Sequence, residues 1–135
     1  HAAFHTPLLG HVSDAAFNTL PADMFEAPTL PMIDGRGAIW SPNSSDLNAL
    51  YEYTFGHQIV ETYDFSKSVE VAIKEFAPDK LILAGPGSTL GAPIAQELIR
   101  WNWLGLSSKA DFSAMQKEDP FLIAMGRDDQ RKLAV

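Results

Sequence analysis

Four histidines, His1, His5, His11 and His57, are the side chains of this 135-residue sequence best suited to move a proton near neutral pH. His5 is set apart by its neighbours. The stretch AAFHTPLL puts it between an aromatic residue and a Thr-Pro pair, at the mouth of a helical pattern. A histidine base needs a nucleophile to activate, and the common serine arrangement is G-x-S-x-G on a sharp strand-to-helix turn. No such motif occurs in the chain; GHVSD from Gly10 and GHQIV from Gly56 echo it without a strand in front. Taken alone, His5 therefore reads as a packed or surface histidine.

The other chemical candidates are weaker. His1 and His5 stand four apart, the spacing of two metal ligands on a helix face, but the Glu of H-E-x-x-H is missing and Pro7 argues against helix at 1–5. No metal site and no cofactor are expected. His11 falls inside the first helix and His57 at the end of the second, where an imidazolium would complement the helix dipole, so both read as structural. GPGSTLG, Gly85 to Gly91, resembles a phosphate loop, since glycines between strand and helix let N–H groups approach an anion. Its third glycine comes one residue too late for G-x-G-x-x-G, and no Lys-Ser/Thr pair makes it a Walker loop, so it reads as a tight turn.

The elements that would position these residues follow from periodicity and punctuation. Pro7 suits a first helical turn with Thr6 as cap, and Leu8, Leu9, Val12, Ala15, Ala16 and Leu20 continue at helical spacing until LPADMFEAP. TLPMI, the DGRG turn and AIW predict a strand with a turn or short hairpin near 29–41. Ser45 or Asp46 caps a helix carrying Leu47, Leu50, Tyr51 and Phe55 to about Gly56. Phe65, Val69, Ile73 and Phe76 behind Asp64 predict an amphipathic helix over 64–77. KLILAG then reads as a short buried strand, GPGST as a turn, and LGAPIAQELIRW as a helix with Pro93 in its first turn. A polar stretch, FLIAMG and a basic-ended tail close the chain. The order of elements favours an α/β layered fold.

Composition limits the partners. A hydrophobic share of 46% over this length supports one packed domain. The net charge of −7 argues against unspecific binding to nucleic acid or anionic lipid. The absence of Cys removes thiol nucleophiles, disulfides and Cys-type zinc sites and suits a cytoplasmic protein. No apolar run approaches the ~20 residues of a membrane span. The chain starts without Met and enters apolar sequence at once, so a fragment or processed piece of a longer protein is expected.

Four segments taken in order change the reading of His5. AAFHTPLL, LPMID, FGHQIVETYDFSKSVE and LILAGPGSTLGAPIAQ are similar to the C-terminal part of malonyl-CoA:acyl carrier protein transacylases, over about residues 2–100. The resemblance implies the α/β-hydrolase-like large subdomain of an acyltransferase, with helices on a short, mainly parallel sheet. It implies a domain part over 1–100 and an extension, 101–135, packed on it. His5 falls on the family's general base, which activates a serine hydroxyl and then the phosphopantetheine thiol. Gln58 falls on the residue whose main-chain carbonyl orients that histidine and fixes its tautomer. Asp34 stands where relatives usually carry Asn. The implied partners are malonyl-CoA, acyl carrier protein and an upstream part of the same enzyme bearing G-H-S-x-G, the carboxylate-binding arginine and the oxyanion segment. The resemblance thus implies malonyl transfer for fatty-acid synthesis, with the isolated chain inactive. An acyltransferase for another acyl group, or a non-catalytic interaction module of the same fold, are the alternatives.

Overall fold

The computed structural model describes residues 3–85 and 87–134, and the chain divides into two units, His1–Ser68 and Val69–Val135. The first unit begins with a single 3-10 turn, Pro7–Leu9, that runs into helix α1, Gly10–Thr19. Pro7 takes its expected place in the first turn, but Thr6 does not cap it. The Leu9 N–H goes to the Thr6 carbonyl at 3.0 Å, which removes the donor that the hydroxyl would have accepted, and the hydroxyl donates to the Ala3 carbonyl at 2.8 Å instead.

Strands β1, Met32–Ile33, and β2, Ile39–Trp40, form the expected hairpin, antiparallel with Met32 opposite Trp40 and Ile33 opposite Ile39. Asp46 accepts from the N–H groups of Asn48 and Ala49 and so starts helix α2, Leu47–Glu52. The helical path does not stop near Gly56. It widens into a π-helical turn, Tyr53–His57, and resumes as α3, Gln58–Val60. His57 therefore lies within the rod instead of at its end, with its ring stacked on Tyr53 at 5.7 Å.

Aromatic rings tie α1 to this rod. Phe17, Phe25, Tyr51 and Phe55 meet edge to face with centroids 5.3 to 6.4 Å apart, the arrangement that ring quadrupoles favour. The buried Ser13 hydroxyl donates to the Phe55 carbonyl at 2.6 Å, and the Tyr51 hydroxyl to that of Leu20 at 2.8 Å. Helix α4, Phe65–Phe76, is capped as expected by Asp64, which accepts from the Lys67 N–H at 2.9 Å.

The second unit takes its core from Val69 and Ile73 of α4, Ile94, Ala95 and Leu98 of helix α5, Gly91–Arg100, and the strand β4, Leu122–Ala124. Ile73 and Leu98 are sealed from solvent. Strand β3, Leu81–Leu83, pairs with β4 in parallel, Leu81 opposite Leu122 and Leu83 opposite Ala124. Residues from the stretch 101–135 thus supply the strand beside β3, preceded by helix α6, Lys109–Glu118, and followed by the short α7, Asp128–Arg131. The buried strand expected at KLILAG is corrected in part: Leu81 and Leu83 are half-covered, but Ile82 is 55% exposed. Its side chain alternates to the face opposite Leu81 and Leu83 and stays more than half exposed, while all three residues of β4 are buried.

The outer edge of β4 is closed by side-chain amides. Gln116 accepts from the N–H groups of Phe121 and Leu122 and donates to the Leu122 carbonyl, each at 2.8 Å, and Gln130 accepts from Ala124 N–H at 2.9 Å. These bonds occupy groups that an edge strand otherwise offers to another chain. The molecule is thus a mixture of helices and two small sheets, one of them parallel. Among the described residues no helix is long and apolar enough to cross a membrane.

Candidate functional site

His5 and Gln58, far apart in sequence, meet in the first unit. The His5 Nδ1 lies 2.6 Å from the Gln58 main-chain oxygen, half-buried. The reason is local to the helix end. The Glu61 N–H closes the last helical bond on the His57 carbonyl, 2.9 Å, so the carbonyl of Gln58 lies in the final turn, where helices run out of N–H partners. That oxygen is free to accept from a ring nitrogen. The π turn just before Gln58 sets the direction of this carbonyl, because its wider spacing rotates everything that follows.

His5 itself has φ 57°, the left-handed region that costs a non-glycine residue about 1–2 kcal/mol. Such a conformation persists where surrounding contacts over-determine it. Besides the Gln58 carbonyl, the ring meets that of Tyr63, centroids 5.6 Å apart and tilted by 46°. A proton on Nδ1, donated to the carbonyl, leaves Nε2 with its lone pair available as a base. Phe4 and Leu8 beside it are 70% and 75% exposed, and Val12, four residues on, is exposed too.

A pocket of about 220 Å³ adjoins this site and is lined by Met32, Ile33, Trp40, Tyr53, Gln58 and Tyr63 among others. Asp34 also lines it and is buried. It accepts from the N–H groups of Arg36 and Ala38 at 2.9 and 3.0 Å, from the Arg36 guanidinium at 2.6 and 3.0 Å, and from the Trp40 indole at 3.2 Å. Burial alone would push this carboxyl up; the hydrogen bonds and charge of Arg36, with the Ala38 N–H, outweigh it and hold Asp34 below the usual carboxylate range. Arg36 lies over the Tyr53 ring at 4.3 Å. Burial pushes the Tyr53 hydroxyl above its ordinary value, although the Gly35 N–H, donating to it at 2.8 Å, pulls the other way. Asp34 thus organises the hairpin turn, with side-chain bonds to residues two, four and six places on.

The remaining candidates are not brought to this site. His57 stacks on Tyr53, and His11 lies in α1. His1 lies outside the described residues, among which no group of three metal-ligating side chains occurs. The glycine turn belongs to the second unit. Gly85 and Gly87 have φ 97° and 79°, which only glycine adopts freely, while Pro86 lies outside the described residues. A 320 Å³ pocket at this turn has no cationic side chain among its described lining residues. Tyr63 and Gly35 were not legible as site residues, since nothing in E-T-Y-D or D-G-R-G marks a contact with a histidine near position 5. No protein-family model matches the chain, and neither does any curated protein or solved structure.

Proposed function

We propose that this chain is the C-terminal portion of an acyltransferase that moves a malonyl group from CoA to the phosphopantetheine thiol of acyl carrier protein, in the cytoplasm, through an acyl-serine intermediate. The observation that carries the reading is the 2.6 Å contact between His5 Nδ1 and the Gln58 carbonyl. A main-chain acceptor does for this imidazole what a carboxylate does in a Ser-His-Asp triad: it holds one tautomer and steadies the imidazolium that forms. Nε2 first removes the proton of the serine hydroxyl as its oxygen attacks the thioester carbonyl of malonyl-CoA. It returns that proton to the departing CoA thiolate. It next deprotonates the carrier-protein thiol, whose sulfur attacks the acyl-serine ester, and gives the proton back to the serine oxygen.

The serine comes from a part of the enzyme outside this sequence, which contains no G-x-S-x-G. The exposed Phe4, Leu8 and Val12, on the segment that carries His5, support an apolar covering of that segment. The test is malonyl transfer from CoA to carrier protein by the complete enzyme. His5→Ala should lower the rate about 10²–10⁴-fold with melting little changed. Near-normal turnover of that variant would reject the reading.

One observation favours a second reading, an acyltransferase for an uncharged acyl group. Asp34 is the only charged side chain among the described residues lining the 220 Å³ pocket. Asp34 is already ion-paired with Arg36, and no cationic side chain is among those lining residues, so nothing there pairs with an anionic acyl end. Comparing malonyl-CoA with acetyl-CoA in the same assay separates the two readings.

A further inference from the structure

We infer that Tyr63, seated on Gly35, is the positioning residue that keeps the His5 imidazole in the tautomer with the proton on Nδ1. For catalysis, the inference rests on reading His5 as the base; for the state of the ring, it rests on geometry alone. A single hydrogen bond to the Gln58 carbonyl does not fix an imidazole, because rotation about its last side-chain torsion is soft. A second contact is needed, and the Tyr63 ring supplies it at 5.6 Å.

Tyr63 belongs to the irregular link between α3 and α4, which does not hold a side chain in place by itself. The hairpin turn holds it. A Cβ on Gly35 would enter the Tyr63 ring, so the ring lies directly on the Gly35 backbone. Gly35 does not have a positive φ, so glycine is required there for space and not for conformation. The turn is fastened on three sides. The Gly35 N–H donates to the Tyr53 hydroxyl at 2.8 Å, the Gly35 carbonyl accepts from Asp64 N–H at 2.8 Å, and the Asp34 carbonyl accepts from the Ser68 hydroxyl at 2.7 Å. Position is thereby passed from the hairpin to Tyr63 and from Tyr63 to a histidine in a left-handed backbone conformation. With this support removed, the ring is free to leave the carbonyl and take up the Nε2–H form that unconstrained imidazole prefers.

The test is ¹⁵N NMR of the histidine side chains in this chain at a pH where they are neutral, with the His5 signals identified by their loss in His5→Gln. Nδ1–H should dominate in the unaltered chain. Tyr63→Ala and Gly35→Ala should each move at least half of the population to Nε2–H, and the ring-conserving Tyr63→Phe should restore the original pattern. Should Tyr63→Ala fail to fold, Tyr63→Leu and Gly35→Ala make the same test. An unchanged tautomer in the folded variants overturns the inference. In the complete enzyme, Tyr63→Ala should lower kcat by about 10–10²-fold with KM little changed, the effect of a misplaced reacting group. A folded variant with unaltered kcat likewise overturns it. Absence of acyl transfer in the unaltered enzyme would instead sink the functional reading and leave the NMR result standing by itself.

Discussion

Replacing Gln58 by Ala removes a half-buried side chain and leaves in place the carbonyl oxygen that stands 2.6 Å from His5 Nδ1. Ala is at least as good a helix former as Gln, so α3 should keep its path. On the proposed function, acyl transfer by the complete enzyme should therefore fall by less than about tenfold, against the ~10⁴-fold loss in serine proteases when the group orienting the histidine is altered. The converse change leaves the Gln58 side chain intact and moves its carbonyl. Deleting Gly56 takes one residue out of the π turn, which rotates the following helix by about 100° relative to the preceding one and withdraws it by ~1.5 Å. At a helix radius of ~2.3 Å, that rotation carries the Gln58 backbone about 3.5 Å sideways. A 2.6 Å contact does not survive such a shift, since a hydrogen bond ends near ~3.2 Å. The deletion should cost about 10²–10⁴-fold, as if the base were lost. Both variants are to be assayed as kcat/KM for malonyl transfer, with far-UV circular dichroism to verify folding. A loss of about 10³-fold or more for a folded Gln58→Ala would place the orienting group in the side chain. A folded Gly56 deletion with near-normal kcat would refute main-chain orientation altogether.

Asp34 sets an acid limit on the hairpin. Its folded pKa is depressed, so the stability it contributes is complete above the usual carboxylate pKa of about 3.9 and is lost as pH falls through the lower folded value. Trp40 fluorescence should report loosening of the turn there, and Asp34→Asn should abolish that transition. The same substitution keeps an acceptor for the Arg36 and Ala38 N–H groups, and the ion pair is open at the Arg36 end, 42% exposed. A loss of only about 1–2 kcal/mol in urea unfolding is expected; more than about 4 kcal/mol would contradict this description. Gln116→Ala strips partners from three backbone groups at the β4 edge and should cost about 2–5 kcal/mol by the same measurement. An unchanged midpoint would mean that water replaces the amide without loss.

Local signals carried the elements a long way. Asp46 and Asp64 before apolar periodic runs mark helix starts because a carboxylate can take N–H groups two and three residues on, and both caps form. The spacing of Phe65, Val69, Ile73 and Phe76 predicts an apolar stripe; Val69 and Ile73 are buried and Phe65 half-buried, but Phe76, at the helix end, is 44% exposed. DGRG between apolar pairs predicts a turn, and the hairpin closes there through Asp34. Each of these depends on neighbours within one helical turn or one hairpin. Where a nearby competitor existed, the signal misled: the Leu9 N–H chose the Thr6 carbonyl over its hydroxyl.

Tertiary structure decided what joins distant segments. Composition and periodicity contain no term for an extra residue absorbed as a π turn, yet that turn aims the Gln58 carbonyl at His5. The exposure of Ile82 likewise depends on what covers the outer face of β3, a property of packing that its apolar type does not carry. The resemblance of AAFHTPLL and FGHQ to an acyltransferase implied that His5 and Gln58 belong together, but not that Tyr63 and Gly35 stand with them. The chain by itself determined which residues could donate, accept or cap, because those capacities are properties of single side chains and their near neighbours. Which of them meet is set by packing, where one backbone carbonyl and one ring can hold a histidine only after hairpin, rod and helix have been brought to a common place.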